Sequence, residues 1–307
     1  MQSHTERLKL MGNQFEFTAV HESLELCKCS VDCGIAEVKR IESLLTTFSE
    51  SSYTAAINRN AGIKPVTVPS EIIHLMQRSQ KISRLTNGAF DISYGSIDKN
   101  YWNFNTNMTD LPNPKKAKEA TRLVNYRNII VDEENSTVFL KEKGMRIGFG
   151  GIGKGYAADM AKKVMFQLGI KSGVVNASGD LTAWGCQADG KPWTIGVANP
   201  NYKYHIVGKF NIVNNSVATS GDYEKFVLIG GKRYSHTINP ITGMPAEGLK
   251  SVTIISPYAE LCDALTTPVI VMGVEAGLHM INQMVGVEAI IIDHNDKIYF
   301  SKNIKIS

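Results

Sequence analysis

An α+β fold, with mixed or antiparallel sheets packed against helices, is what this sequence predicts. Period-two and period-3.6 apolar patterns follow one another along 307 residues without the regular strand–helix–strand rhythm of a doubly wound sheet. Strand-like runs paired around tight-turn residues point to hairpins. No internal repeat, low-complexity tract or linker divides the chain. The expectation is therefore one large domain, residues 1–307, of two intimately packed halves, with residues 1–10 as a flexible N-terminal segment.

Residues 11–20 alternate in the strand manner, and Ile35, Val38, Ile41, Leu44, Leu45 and Phe48 then fall at helical spacing. A helix from Ser70, a candidate N-cap, to Asn87-Gly88, a candidate C-cap, buries Ile72, Leu75, Met76 and Ile82. Residues 115–123 read as a short helix after Pro114, and 128–131 with 137–141 as a strand pair around the turn 132–136. A third helix follows Gly155 and ends at Gly169. Strands are expected at 173–176, 193–197, 205–213, 226–229 and 251–256, helices at 260–267 and 274–284, and a closing hairpin at 289–293 with 297–301.

The composition is ordinary, 43% hydrophobic and 20% charged, and long enough for a substantial core. A formal charge of +4, spread without a basic stripe, is too small to imply nucleic-acid binding. Five cysteines, an odd number, argue against a disulfide framework; Cys27, Cys29 and Cys33 lack a second pair at zinc spacing and read as scattered thiols. No apolar run approaches the ~20 residues of a transmembrane helix. The first residues lack the apolar core of a secretory signal, so the expectation is a cytoplasmic protein or one whose leader is absent from this chain.

The densest chemistry lies in Ser220-Gly221-Asp222-Tyr223 and the run from Tyr234 through Ser235, His236, Asn239 and Pro240 to Gly243. Small residues alternate there with hydroxyls, an Asp and a His, a composition suited to a phosphate or sugar. Asp263 and Thr267 stand at i, i+4 in a helix-like run, which puts two hard oxygens on one face. Together these segments suggest a Mg²⁺-assisted site for a phosphorylated ligand.

One glycine loop, residues 148–155, matches two patterns at once. Gly148, Gly150 and Gly153 spell the dinucleotide fingerprint, and Gly148, Gly153 and Lys154 spell most of a P-loop. Neither stands: Gly155 occupies the position where a P-loop needs Ser or Thr, and Asp180 is too far on for the ribose-binding acid. A glycine-rich turn into a helix still points amide N–H groups at a phosphate, with Lys154 adding a charge. A tight turn with no ligand is the alternative.

Read in order, these blocks resemble the FAD:protein FMN transferases, the ApbE-type flavin transferases. The resemblance runs over nearly the whole chain: Met11-Gly12; Thr47-Phe48-Ser49 with Ile57-Asn58-Arg59; Thr86 to Asp91; Gly150 to Tyr156; Val175-Asn176 with Gly179-Asp180. It continues through Ala218 to Tyr223, Ser235-His236 with Asn239-Pro240 and Thr242-Gly243, and Asp263 to Thr267. It implies that FAD is bound and cleaved at its pyrophosphate with Mg²⁺. FMN then passes to a Thr or Ser of a partner protein through a phosphoester bond, and AMP leaves. The implied metal ligands are Asp263, Thr267 and the carbonyl of Gly153, with Lys154 as a phosphate-side charge. His236 is the candidate for steering or deprotonating the acceptor hydroxyl, and reads otherwise as a core histidine satisfied by backbone.

Met11 and Phe48 match the positions that sandwich the flavin ring, although both suit a core. Ala89, Phe90 and Asp91 match the adenosine end, while Ser220, Asp222 and Asp180 suit the ligand hydroxyls and their loops. The implied acceptor is a flavoprotein such as a membrane redox-pump subunit, and the implied location periplasmic or lipoprotein-anchored. Three departures stand out: Gly148-Phe149 where the family has an Asp, Gly153 for Ala, and Asn239 for the Asp of a His-x-x-Asp-Pro pattern. An FAD pyrophosphatase using water as acceptor, and an FAD-binding protein without turnover, are the alternatives.

Overall fold

A computed structural model describes residues 1–98, 108–198, 206–222 and 226–304. Tyr223 and the His205 start of an expected strand lie outside the described residues. In chain order the elements are β1 (Gln2–Leu10), β2 (Asn13–His21), α1 (Leu24–Leu45), α2 (Tyr53–Arg59), β3 (Val66–Thr67), α3 (Ser70–Leu85) and α4 (Pro114–Ala120). Next come β4 (Ile129–Asp132), β5 (Thr137–Leu140), α5 (Gly153–Gln167), β6 (Ser172–Ala177), β7 (Asp180–Trp184), β8 (Trp193–Ala198) and β9 (Ile206–Ile212). The chain closes through β10 (Asn215–Gly221), β11 (Phe226–Ile229), β12 (Lys232–Ser235), β13 (Leu249–Ser256), α6 (Ala259–Ile281), β14 (Glu288–Asp293) and β15 (Ile298–Phe300).

Eight strands form one sheet in the order β1-β2-β6-β7-β10-β13-β14-β15, antiparallel at every pairing. This α+β architecture bears out the predicted class and removes the doubly wound reading. Helices α1, α5 and α6 pack against one another and against this sheet. Phe15, Phe17 and Ala19 of β2 alternate inward beneath α1, which meets them with Cys27, Val31, Val38 and Ile41 at helical spacing. Ser23 starts α1 by accepting the Leu26 N–H at 3.2 Å. Leu181, Ala183 and Val217 pack separately with Ile212, Trp193 and Ile195 of the β8–β9 hairpin. Strand β7 is buried at every position, which explains why it shows no alternation to read.

Residues 1–10 are not a flexible tail. Gln2–Leu10 pairs residue for residue with β2, and the two-residue turn Met11-Gly12 has φ of 50° and 75°, as a type I′ hairpin demands. A largely polar edge strand gave little apolar signal, and the Gly after Met11 was the informative residue. Helix α6 is long and apolar enough to cross a membrane by length and composition, yet half of that window is buried inside the protein. It carries Asp263 and Pro268 and breaks at Gly273, the packing and sequence of a core helix. All five cysteines are free, with Cys27 and Cys262 in the core.

Helices α5 and α6 meet where a side chain is forbidden. A Cβ built on Gly155 would lie 2.1 Å from the Ala259 carbonyl oxygen, a backbone atom that cannot swing aside. Gly155→Ala should therefore destabilise the protein by about 3 kcal/mol, the upper end for overpacking. Chemical denaturation followed by circular dichroism measures this, and a loss under about 0.5 kcal/mol would show that the helices separate freely.

Candidate functional site

The α5–α6 crossing brings three of the expected residues into contact. Lys154, the second residue of α5, donates from Nζ to Oδ1 of Asp263 at 3.1 Å and to Oδ2 of Asp180 at the start of β7. The Gly155 N–H donates to Oδ2 of Asp263 at 3.0 Å. Both carboxylates are buried, Asp180 to 6% exposure and Asp263 to 4%. Burial works to lower the Lys154 pKa, but the charges of Asp263 and Asp180 outweigh it and hold the ammonium above its ordinary range. Two carboxylates and one ammonium thus share a shielded place.

Oxygen donors of a second kind stand on the same helices. Asp263, the Thr267 hydroxyl and the Gly153 carbonyl are hard oxygen donors of the kind Mg²⁺ takes, and Thr267 is half-buried one turn beyond Asp263. Among the described residues no three His, Cys, Asp or Glu side chains gather into a metal cluster, so carbonyl and hydroxyl oxygens must complete the set. Next to it, Ser220 Oγ donates to Thr266 Oγ1 at 2.9 Å, and that hydroxyl donates to the Asp263 carbonyl at 3.0 Å. Sequence pattern singled out Thr267; its neighbour Thr266 is the residue that ties β10 to α6.

The N-cap residue Ile152 offers α5 no side-chain cap; the Phe149 carbonyl takes the N–H groups of Ile152 and Gly153, and the Asp263 carboxylate takes that of Gly155. A Cβ on Gly153 would meet the Met11 Cε at 3.6 Å, so the β1–β2 turn delivers Met11 to this helix start. The same measure shows why the Gly153 departure is mild: the nearest atom lies at 3.4 Å, and a methyl fits. Gly148 has comparable room, its nearest neighbour being Thr47 Cγ2 at 3.7 Å.

Phe48 is 99% exposed, which removes it from the core and leaves its ring uncovered. Ala89 and Phe90 are buried, and Phe90 lies against Gly151, so these two could offer a ligand only backbone. Asp91 is fully engaged: Oδ1 accepts from the N–H and Oγ of Ser93, and Oδ2 from the Tyr126 N–H at 2.7 Å. Its carboxylate organises the loops beside the site.

Asp222 ends β10, buried, with His294 Nε2 3.3 Å from Oδ2. Arg233 Nη1 stands 3.5 Å from Oδ1, near enough for charge attraction but not placed to hydrogen-bond. That buried oxygen therefore lacks a hydrogen bond among the described residues. His236 is half-buried just past β12, at the head of a tightly held loop. Asn239 holds that loop, its Oδ1 accepting the N–H groups of Ile241 at 2.8 Å and Thr242 at 3.2 Å. An amide oxygen serves this task as a carboxylate would, so the Asn239 departure leaves the loop intact.

Sequence pattern gave no hint of Asp159. Its carboxylate, on α5, accepts the N–H groups of Ala259 and Glu260 at 3.0 and 2.9 Å and so caps α6 from a hundred residues away.

The ApbE family matches residues 11–291. A FAD:protein FMN transferase from Klebsiella pneumoniae (strain 342) is 32% identical over 266 residues, 86% of this chain and 82% of that protein. One from Treponema pallidum (strain Nichols) is 30% identical over 282 residues, covering 86% and 76%. The crystal structure of an ApbE protein from Thermotoga maritima superimposes with a TM-score of 0.88 at 29% identity, over 98% of this chain and 97% of that one.

Burial pushes the Asp159 carboxyl up to about 6, against the two N–H bonds that favour its charged form. A carboxyl that holds its proton more tightly folded than unfolded contributes most below about pH 4, and that contribution is lost as pH rises through about 6. The stability of the parent protein relative to Asp159→Asn should therefore decline across this window and stay level above it. Parallel stability–pH curves for the two proteins would refute the assignment.

Proposed function

The chain belongs to the ApbE family, and we propose on that premise that it transfers FMN from FAD to a Thr or Ser hydroxyl of an acceptor protein, releasing AMP. The observation that carries the reading is the buried Lys154–Asp180–Asp263 cluster at the N-terminal end of α5, where two carboxylates and an ammonium stand together. Asp263, Thr267 and the Gly153 carbonyl would hold Mg²⁺. When bound, that ion supplies neutralisation of the charge on the pyrophosphate oxygens.

The chain's own groups do the rest. The positive end of the α5 dipole and the Lys154 ammonium attract the phosphate. Asp180 fixes the Lys154 ammonium, and Met11 and Phe48 offer thioether and ring surfaces to the flavin. The buried Asp222 Oδ1, with no hydrogen bond among the described residues, is an acceptor for a ligand hydroxyl. Asp91 keeps the adenosine-side loops in place through Ser93 and Tyr126. His236 accepts the proton of the acceptor hydroxyl, whose oxygen bonds to the FMN phosphorus as the bond to AMP breaks.

Incubation with FAD and Mg²⁺, with and without a Thr-containing acceptor domain, tests this through AMP release and flavin fluorescence on a denaturing gel. A fluorescent acceptor band is expected; free FMN and AMP without a band would mean water is the acceptor, and intact FAD would sink both. Asp263→Ala should slow Mg²⁺-dependent cleavage by about 100-fold or more while FAD still binds. Undiminished turnover would show the metal placed wrongly. His236→Ala should slow transfer about 100-fold with FAD affinity little changed; equal loss of both would reduce His236 to a binding group.

A further inference from the structure

A cavity of about 990 Å³ lies away from Asp180 and Asp263. It is a groove between α3 and α5, closed at one end by the start of α6. Its α3 wall is Arg78, Lys81, Ile82 and Leu85, one face of a helix at i, i+3, i+4 and i+7. Its α5 wall runs from Tyr156 to Gln167, three helical turns or about 16 Å.

Phe166 and Tyr258 line it at 57% and 64% exposure, together with Met160, Leu261 and Met284. A second cavity of about 650 Å³ shares Leu85 and Met284 and extends past Met272 and Met280. Exposed aromatic and methionine side chains along a channel about three helical turns long are the make-up of a groove that receives a helix.

The charges around the groove decide what kind of helix. Both acids in the lining are already engaged: Asp159 caps α6, and Glu260 is gripped by Arg78 through two bonds of 2.6 and 2.9 Å. Lys162 donates to Thr182 Oγ1 at 3.3 Å. Lys81 and Lys163, one on each wall, have no ion-pair partner among the described residues. The charge left to meet a partner is positive on both sides of an apolar floor.

We propose that this groove docks an amphipathic helical segment of the acceptor protein, apolar on one face and flanked by acidic residues. The assignment to the acceptor rests on the flavin-transfer reading. The groove is lined by α5 and the start of α6, the helices that also carry Lys154 and Asp263, so a docked acceptor lies along the elements that position the reacting groups.

A fluorescein-labelled helical 16-residue peptide, Leu at i, i+3, i+4 and i+7 with Glu flanks, is the probe, with a Lys-flanked twin as control. Fluorescence anisotropy should show the Glu peptide binding at least tenfold tighter than its twin. Lys81→Glu/Lys163→Glu should reverse the preference, and Phe166→Asp should weaken both peptides at least tenfold. The Glu peptide should also raise the half-saturating concentration of the acceptor domain in the transfer assay, with FAD affinity unchanged. Lack of discrimination between the peptides, or indifference to Phe166→Asp, overturns the groove as a docking site. So does binding confined to phosphatidylglycerol vesicles, which would make the face a membrane contact. Peptide binding that leaves transfer unaffected overturns the assignment to the acceptor. A parent protein that binds the peptide but transfers no flavin shows that the functional reading has failed, and the acceptor assignment falls with it.

Discussion

Everything in the site hangs on how closely two helix backbones approach. Where Gly155 meets Ala259 there is no room for a methyl group, and that contact sets the distance between α5 and α6. Because they are so close, an aspartate on one helix reaches an amide of the other, and Asp263 can take the Gly155 N–H. Asp159 closes the same crossing from the α5 side by capping the first amides of α6. A backbone contact reinforced by two carboxylate–amide interactions is stiff, and stiffness is what a site acting mainly by positioning requires.

The sheet beneath contributes position of another kind. Strands β7, β10 and β13 bring hydroxyls into register: Ser216 with Thr182 at 3.0 Å, Thr219 with Thr253 at 2.9 Å. These pairs satisfy polar groups where helices and the sheet leave little water, and they carry Asp180 and Ser220 to the helix crossing. The helix pair thus has two working faces, one polar toward the sheet's functional residues and one apolar toward the α3 groove.

Much of this was legible in the sequence, and what was missed has a physical cause. Helices α1, α3 and α5 were readable because one face is buried and the other wet. Strand β7 was invisible to that reasoning because it is covered on both faces, and β10 because Ser, Thr, Ala and Gly give no hydrophobic period. Strand β1 was missed because an edge strand can be polar. The glycine loop, Asp263 and Asp180 were found from their residue types and order, but their mutual contact was not, since it spans more than a hundred residues. The role of Asp159, an isolated acid on a helix, is set wholly by what packs against it.

Lys154 has one last implication. Two acids as close as Asp180 and Asp263 repel, and a fold that relied on a dissolved ion to offset this would come apart when the ion was withdrawn. Here the balancing charge is covalently attached to the chain, at an effective concentration that no dilution or chelator can lower. The chain thus carries part of the neutralisation of these acids within itself.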